Sequence, residues 1–307
     1  MTGTSSHQYL ILGASGSIGR KLFARLGPHR ALATFRGSPV DGGSRFDATT
    51  MRVNDLLASA PGITHAFILF GETRIDECAR DPSGTGRLNV DSTLQVVEDL
   101  AGRGIVPIFA SSDAVFSGAR GNYSEDDPPS PVLTYGRQKL AVEEHIARIS
   151  EPSLILRIAK VIGLNRHQGD ILDGWLRRAE VGQRIVCAED QVLSPVAIDD
   201  VVTALELSAG RGLTGLYHLS GPQRVTRADL LKRLLHAAES RLVLRPVIEY
   251  CRLRDIAALE PRPLDCSMSG VRLARNLAMD FQQIDQICQT FVAARMAEPS
   301  AQSGKVD

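Results

Sequence analysis

The chain has 307 residues, 43% hydrophobic and 23% charged, a composition that suits a soluble globular protein of one large domain or two ordinary ones. Lys plus Arg and Asp plus Glu both number 35, so no global field favours nucleic acid or an anionic membrane surface. The five cysteines are scattered without a C-x-x-C, and no apolar run approaches the roughly 18 residues of a membrane span, which excludes a disulfide framework, a zinc ribbon and a transmembrane helix. The opening MTGTSSHQ has neither a basic nor an apolar segment of a signal peptide, so a cytoplasmic protein with reduced cysteines is expected.

The first predicted strand is YLIL (Tyr9–Leu12), a short apolar run suited to a buried parallel strand. It flows into Gly13-Ala14-Ser15-Gly16-Ser17-Ile18-Gly19 and then into an amphipathic segment, RKLFARL. Strand, glycine-rich turn and helix form the context of a dinucleotide site, in which glycines allow close backbone approach and the helix N-terminus receives a pyrophosphate. The candidate cofactor ligands are therefore Gly13, Ser15, Gly16, Ser17, Ile18 and Gly19, although the spacing is G-x-x-G-x-x-G instead of the commoner G-x-G-x-x-G.

A second strand, ALATF (Ala31–Phe35), ends in Thr34, Phe35 and Arg36. An NAD-binding chain would carry a carboxylate there for the ribose 2′-hydroxyl. A guanidinium suits a 2′-phosphate, so the expected cofactor is NADPH, with NADH as the alternative. The segment SRFDATT follows as a short strand ending at Asp47, whose carboxylate can accept from an adenine amino group.

HAFILF (His65–Phe70) predicts a further strand, with a helix from about residue 87 to 102 and another strand, IVPIFA (Ile105–Ala110). Next come the hydroxyl pair Ser111-Ser112, a loop over 117–133 rich in glycine and proline, a helix from Tyr135 to about Ile149, and the strand SLILRI (Ser153–Ile158). A loop of that length is expected to be functional or flexible. His145, after Glu143 and Glu144, reads as a surface residue. This alternation predicts an α/β fold, a Rossmann-type doubly wound parallel sheet over residues 1–160. Residues 161–307 are expected to form mostly a smaller α/β C-terminal substrate-binding lobe, with segments returning to the sheet. It contains the only tryptophan, Trp175, and a capping-box-like Thr226-x-x-Asp229, and the tail 297–307 is expected to be disordered. No metal-ligand spacing is found.

The chemistry concentrates between Phe109 and Lys139. Tyr135 and Lys139 stand four apart on a predicted helix and so share a face. An ammonium beside a phenol lowers the tyrosine pKa from about 10, which prepares it for proton transfer near neutral pH. Ser112, delivered from the preceding strand, can hold a carbonyl or alcohol oxygen beside it.

GASGSIG, SSDAVF and YGRQK together resemble an extended short-chain dehydrogenase/reductase, and most closely the dTDP-4-dehydrorhamnose reductases and related nucleotide-sugar 4-ketoreductases. EDQVLSPVAIDDV and Arg262-Pro263 extend the likeness over roughly residues 9 to 295. The resemblance implies an NAD(P)-dependent oxidoreductase with a nucleotide-sugar substrate. It makes Ser112, Tyr135 and Lys139 catalytic, with Tyr135 and Lys139 also against the cofactor, and Ser112, Asp113 and Arg262 substrate-binding. Asn89 matches a family asparagine. Hydride transfer to a ketone would be completed by a proton from Tyr135. A homodimer is one assembly open to such a protein.

Two departures stand out: Ala114 and Lys160 occupy positions where these reductases carry tyrosine and tryptophan, which bears on the sugar accepted. Related dehydratases need an Asp-Glu pair after the hydroxyl; Asp113-Ala114 lacks the second carboxylate, so water elimination is not expected. A 4-epimerase holding NAD, and a non-catalytic subunit such as the relative accompanying methionine adenosyltransferase, remain as alternatives.

Overall fold

Short runs of aliphatic and aromatic residues make interior strands here because helices cover both faces of the sheet. In the computed structural model, which describes residues 8–58, 60–149, 151–163, 170–243 and 245–297, every residue of β1 (Tyr9–Leu12) is buried. Its side chains alternate: Tyr9 and Ile11 enter one hydrophobic cluster, Leu10 and Leu12 another on the opposite face. The chain continues through α1 (Ser17–Leu26), β2 (Ala31–Phe35), β3 (Ser44–Arg45), α2 (Val53–Leu57) and β4 (His65–Ile68). Three helical pieces follow, α3 (Ile75–Arg80), α4 (Pro82–Gly86) and α5 (Ser92–Ala101), and then β5 (Val106–Ser112), α6 (Thr134–Ile146) and β6 (Leu154–Ile158).

The second half begins with β7 (Val161–Ile162), α7 (Ile171–Glu180), β8 (Arg184–Ala188), β9 (Val192–Leu193), β10 (Val196–Ala197) and α8 (Ile198–Gly210). It closes with β11 (Gly215–Leu219), β12 (Val225–Thr226), α9 (Arg227–Glu239), β13 (Val247–Cys251), α10 (Val271–Leu277) and α11 (Ile284–Ala297). Thr226 Oγ1 caps α9 by accepting from Asp229 N–H at 3.0 Å, the half of the capping box expected. The expected disorder of the tail falls outside the described residues, except that Ala297 ends α11.

The central sheet has seven parallel strands in the order β11-β6-β5-β4-β1-β2-β3, the doubly wound arrangement expected. The direction of winding reverses between β1 and β4, and ligands of such sheets bind beyond the carboxyl ends of the strands at that point. Strand β11 lies beyond residue 160 and returns to the sheet beside β6. The remaining second-half elements build a lobe with its own core, in which Trp175, Leu176 and Ile185 meet Leu231, Leu234 and Phe291.

One expectation is corrected. The helix expected from about residue 87 begins five residues earlier, at Pro82, directly after the separate short helix α3, and passes through a π-helical turn over Arg87–Asp91. The D-P-S-G sequence reads as a turn, yet Asp81 accepts from Gly84 N–H and Pro82 occupies the first turn of α4, where its missing N–H costs nothing. The 117–133 loop is pinned along its length: Tyr123 N–H donates to Ser267 carbonyl at 2.9 Å, and Glu125 accepts from His218 N–H at 3.0 Å. Phe116 and Tyr123 stack at 4.1 Å beneath it. Among the described residues no helix is long and apolar enough to cross a membrane.

Candidate active site

The glycine turn after β1 is shaped for close approach. Gly13 has φ +94°, and a Cβ there would lie 2.8 Å from Phe70 N. A Cβ on Gly19 would lie 2.4 Å from Gly13 O, which accounts for glycine where α1 crosses the turn. Helix α1 carries no side-chain cap and no acid in its first turn, so its N-terminal dipole meets no carboxylate of its own. These features fit a dinucleotide pyrophosphate held by the backbone of residues 13–19.

At the end of β2, Thr34 is buried and braces the turn: its Oγ1 donates to Ile11 carbonyl at 3.1 Å and accepts from Gly13 N–H at 3.3 Å. Arg36 is exposed beyond it. Asp47 is held below its ordinary pKa, first by Thr49 Oγ1 (2.7 Å) and Thr49 N–H (3.0 Å), then by the charges of Arg36 and Arg45. Sequence reasoning passed over Arg45; its pairing opposite Phe35 between β2 and β3 brings it to Asp47.

The hydroxyl pair on β5 splits, as alternation in a strand requires. Ser111 is buried and donates to Glu143 on α6, whereas Ser112 ends the strand, donates to Asp113 Oδ1 at 2.9 Å and accepts from Ala114 N–H at 3.2 Å. Burial pushes the Asp113 carboxyl up to about 6, against the pull of Ser112 and Lys160. Lys160 is exposed past the end of β6, and its charge also acts on Asp170. Ala114 is buried with Cys78, Leu133 and Tyr135.

Helix α6 presents Tyr135, Lys139 and Glu143 on one buried face. Gly136 allows this approach, since a Cβ there would lie 2.0 Å from Ala114 O. The expected lowering of the tyrosine pKa by lysine is not what the structure has. Burial, with the Asp113 charge behind it, raises the Tyr135 phenol well above its ordinary value, and Ser112 only partly opposes this. Lys139 instead donates to Ala110 carbonyl at 2.8 Å, with its ammonium 5.7 Å from the Tyr135 ring centroid, and burial lowers it to about 8.

Asn89 sits in the π-helical turn, a distortion that often marks functional positions. It accepts from Glu72 N–H at 2.7 Å and donates to Glu72 carbonyl at 2.9 Å and Gln138 Oε1 at 2.8 Å, joining the end of β4 to α6. Arg262 reaches the first-half fold through Asp76 at 2.6 Å, and its Nη1 is buried without a hydrogen-bond partner among the described residues. Two roles were not legible in sequence: Cys78, from α3, packs against Tyr135, and Glu143, further along α6, is bound by Arg157. His145, expected at the surface, is half-buried beside Glu98.

Residues 7–296 match the RmlD substrate binding domain family. A dTDP-4-dehydrorhamnose reductase of Sinorhizobium fredii is 28% identical over 303 residues, covering 94% of this chain and 97% of that protein. The methionine adenosyltransferase 2 subunit beta of Bos taurus is 26% identical over 206 residues, 64% of this chain and 61% of that protein. The fold is shared with dTDP-4-dehydrorhamnose reductase from Bacillus anthracis, solved in complex with NADP (TM-score 0.81, 18% identity, 94% of this chain and 99% of that one). Because the match runs through the glycine turn, the Ser112–Tyr135–Lys139 region and the lobe behind them, the chain belongs to the RmlD substrate binding domain family.

Proposed function

We propose that this protein is an NADPH-dependent reductase of a nucleotide-linked 4-keto-6-deoxyhexose. The observation that carries the reading is the burial of Tyr135 beside Ser112 and Asp113, with Lys139 one turn along the same helix, beyond the carboxyl end of a doubly wound sheet. The relative named as a dTDP-4-dehydrorhamnose reductase spans nearly the whole chain and supports the substrate class. The neighbour bound to NADP and the position of Arg36 support the cofactor.

When bound, NADPH supplies the hydride for the carbonyl carbon. Residues 13–19 would hold its pyrophosphate, Arg36 its 2′-phosphate and Asp47 its adenine amino group. Tyr135 donates its proton to the developing alkoxide. Ser112 turns its hydroxyl from Asp113 to the same oxygen. The Lys139 ammonium would stabilise the phenolate left behind and would hold the cofactor ribose. Asp113 and Arg262 would orient the sugar.

The test is consumption of NADPH by purified protein given a freshly prepared nucleotide-linked 4-keto-6-deoxyhexose. Tyr135→Phe is expected to lose about 10²–10⁴ in kcat. No consumption with any such sugar, or a Tyr135→Phe variant as fast as the parent, would overturn the reading.

A further inference from the structure

Helix α6 has no N-cap of its own. Leu133 occupies the cap position, and its side chain cannot accept a hydrogen bond. The first amide of the helix, Thr134 N–H, is instead met by a carboxylate from 126 residues further along the chain. Thr134 N–H donates to both oxygens of Glu260 at 3.0 Å, and Thr134 Oγ1 donates to Oε1 at 2.8 Å. Arg137 Nη2 closes the cluster at 3.1 Å, and the Glu260 side chain is only 16% exposed. A carboxylate here both satisfies orphan donors and complements the helix dipole.

The same loop is fastened on its other side. Leu259 N–H at 3.4 Å and Arg262 Nη2 at 2.6 Å donate to Asp76 in the first turn of α3, the helix that carries Cys78 against Tyr135. Glu260 and Arg262 also line a cleft of about 820 Å³ together with Arg252, Arg254 and Asp190. One loop therefore forms a wall of that cleft and the cap of the helix whose next residue is Tyr135.

We propose that Glu260 is a positioning residue for Tyr135, capping the helix that carries it and tying the proton donor to the 252–264 cleft. The proposal's kinetic consequence rests on the reductase reading; its structural consequence does not. Two variants of the full chain test it. In Glu260→Ala, amide hydrogen exchange in the 134–138 segment is expected to quicken by about fivefold to tenfold, the loss typical of a helix cap, while β1 and α8 keep their protection. Glu260→Gln retains an acceptor oxygen without the charge and should lie between parent and Glu260→Ala; it also serves if the alanine variant does not fold. With NADPH and the keto sugar, kcat should fall by up to about 10²-fold while the KM for NADPH stays constant.

Unchanged exchange at 134–138 in both variants would overturn the proposal whatever the substrate. So would quickened exchange with an unchanged kcat in a protein that reduces the sugar. Should the parent consume no NADPH, the reductase reading fails, and the exchange result still decides the role of Glu260 alone.

Discussion

At Asp113, burial and hydrogen bonding pull in opposite directions, and burial prevails. The folded state binds the proton more tightly than the unfolded chain, so the stabilisation is present below about pH 4 and is lost as pH rises through about 6. A displacement from 3.8 to about 6 corresponds to a cost of up to about 3 kcal/mol at neutral pH. Asp113→Asn should therefore be more stable than the parent at pH 7.5 in urea titrations, with the gap closing toward pH 4. A gap that is the same at both values would contradict this account. Arg36 makes the second residue-scale prediction. Without its guanidinium, Arg36→Ala should lose about tenfold or more in preference for NADPH over NADH, the scale of one charge-assisted phosphate contact. Titrating both cofactors checks it.

Helix α6 is unusual as an element because its buried face is polar. Glu143 and Arg157, each no more than 5% exposed, form a two-pronged pair with contacts of 2.7 and 3.1 Å that joins α6 to β6. Removing one partner of such a pair leaves a buried charge, so Glu143→Ala should cost about 3–5 kcal/mol. Replacing both by apolar residues of similar volume should cost much less, which equilibrium denaturation of the single and double variants would measure. Gly136 gives a complementary case. Alanine is the better helix former, yet Gly136→Ala should destabilise by about 1–3 kcal/mol, because its Cβ meets Ala114 O and must push the helix off the turn that follows β5. A stabilised Gly136→Ala would mean that the contact is not the constraint.

On the scale of the whole molecule, the cofactor-side sheet and the second-half lobe have separate cores, one built on β1 and its neighbours and the other around Trp175. NADPH that binds the folded chain at a hundredfold excess over its dissociation constant should add about 2.7 kcal/mol to stability. Thermal melts with NADPH should therefore run above those with NADH at equal concentration. Equal shifts would remove the argument for a 2′-phosphate site. The parallel sheet, the glycine turn and the members of the Ser112, Asp113, Tyr135 and Lys139 cluster could all be read from the sequence. Each is a local matter: strand runs alternate with helical periods, glycine is required where a Cβ would clash, and i, i+4 spacing sets a helix face. What only the tertiary structure decided arises from contacts between residues far apart in the chain. Burial raised the Tyr135 phenol where its lysine neighbour alone would lower it, Arg157 made Glu143 a buried anchor, and Glu260 supplied from far along the chain the cap that α6 lacks. Desolvation and long-range hydrogen bonds depend on what surrounds a group in space, and residue spacing carries no record of that.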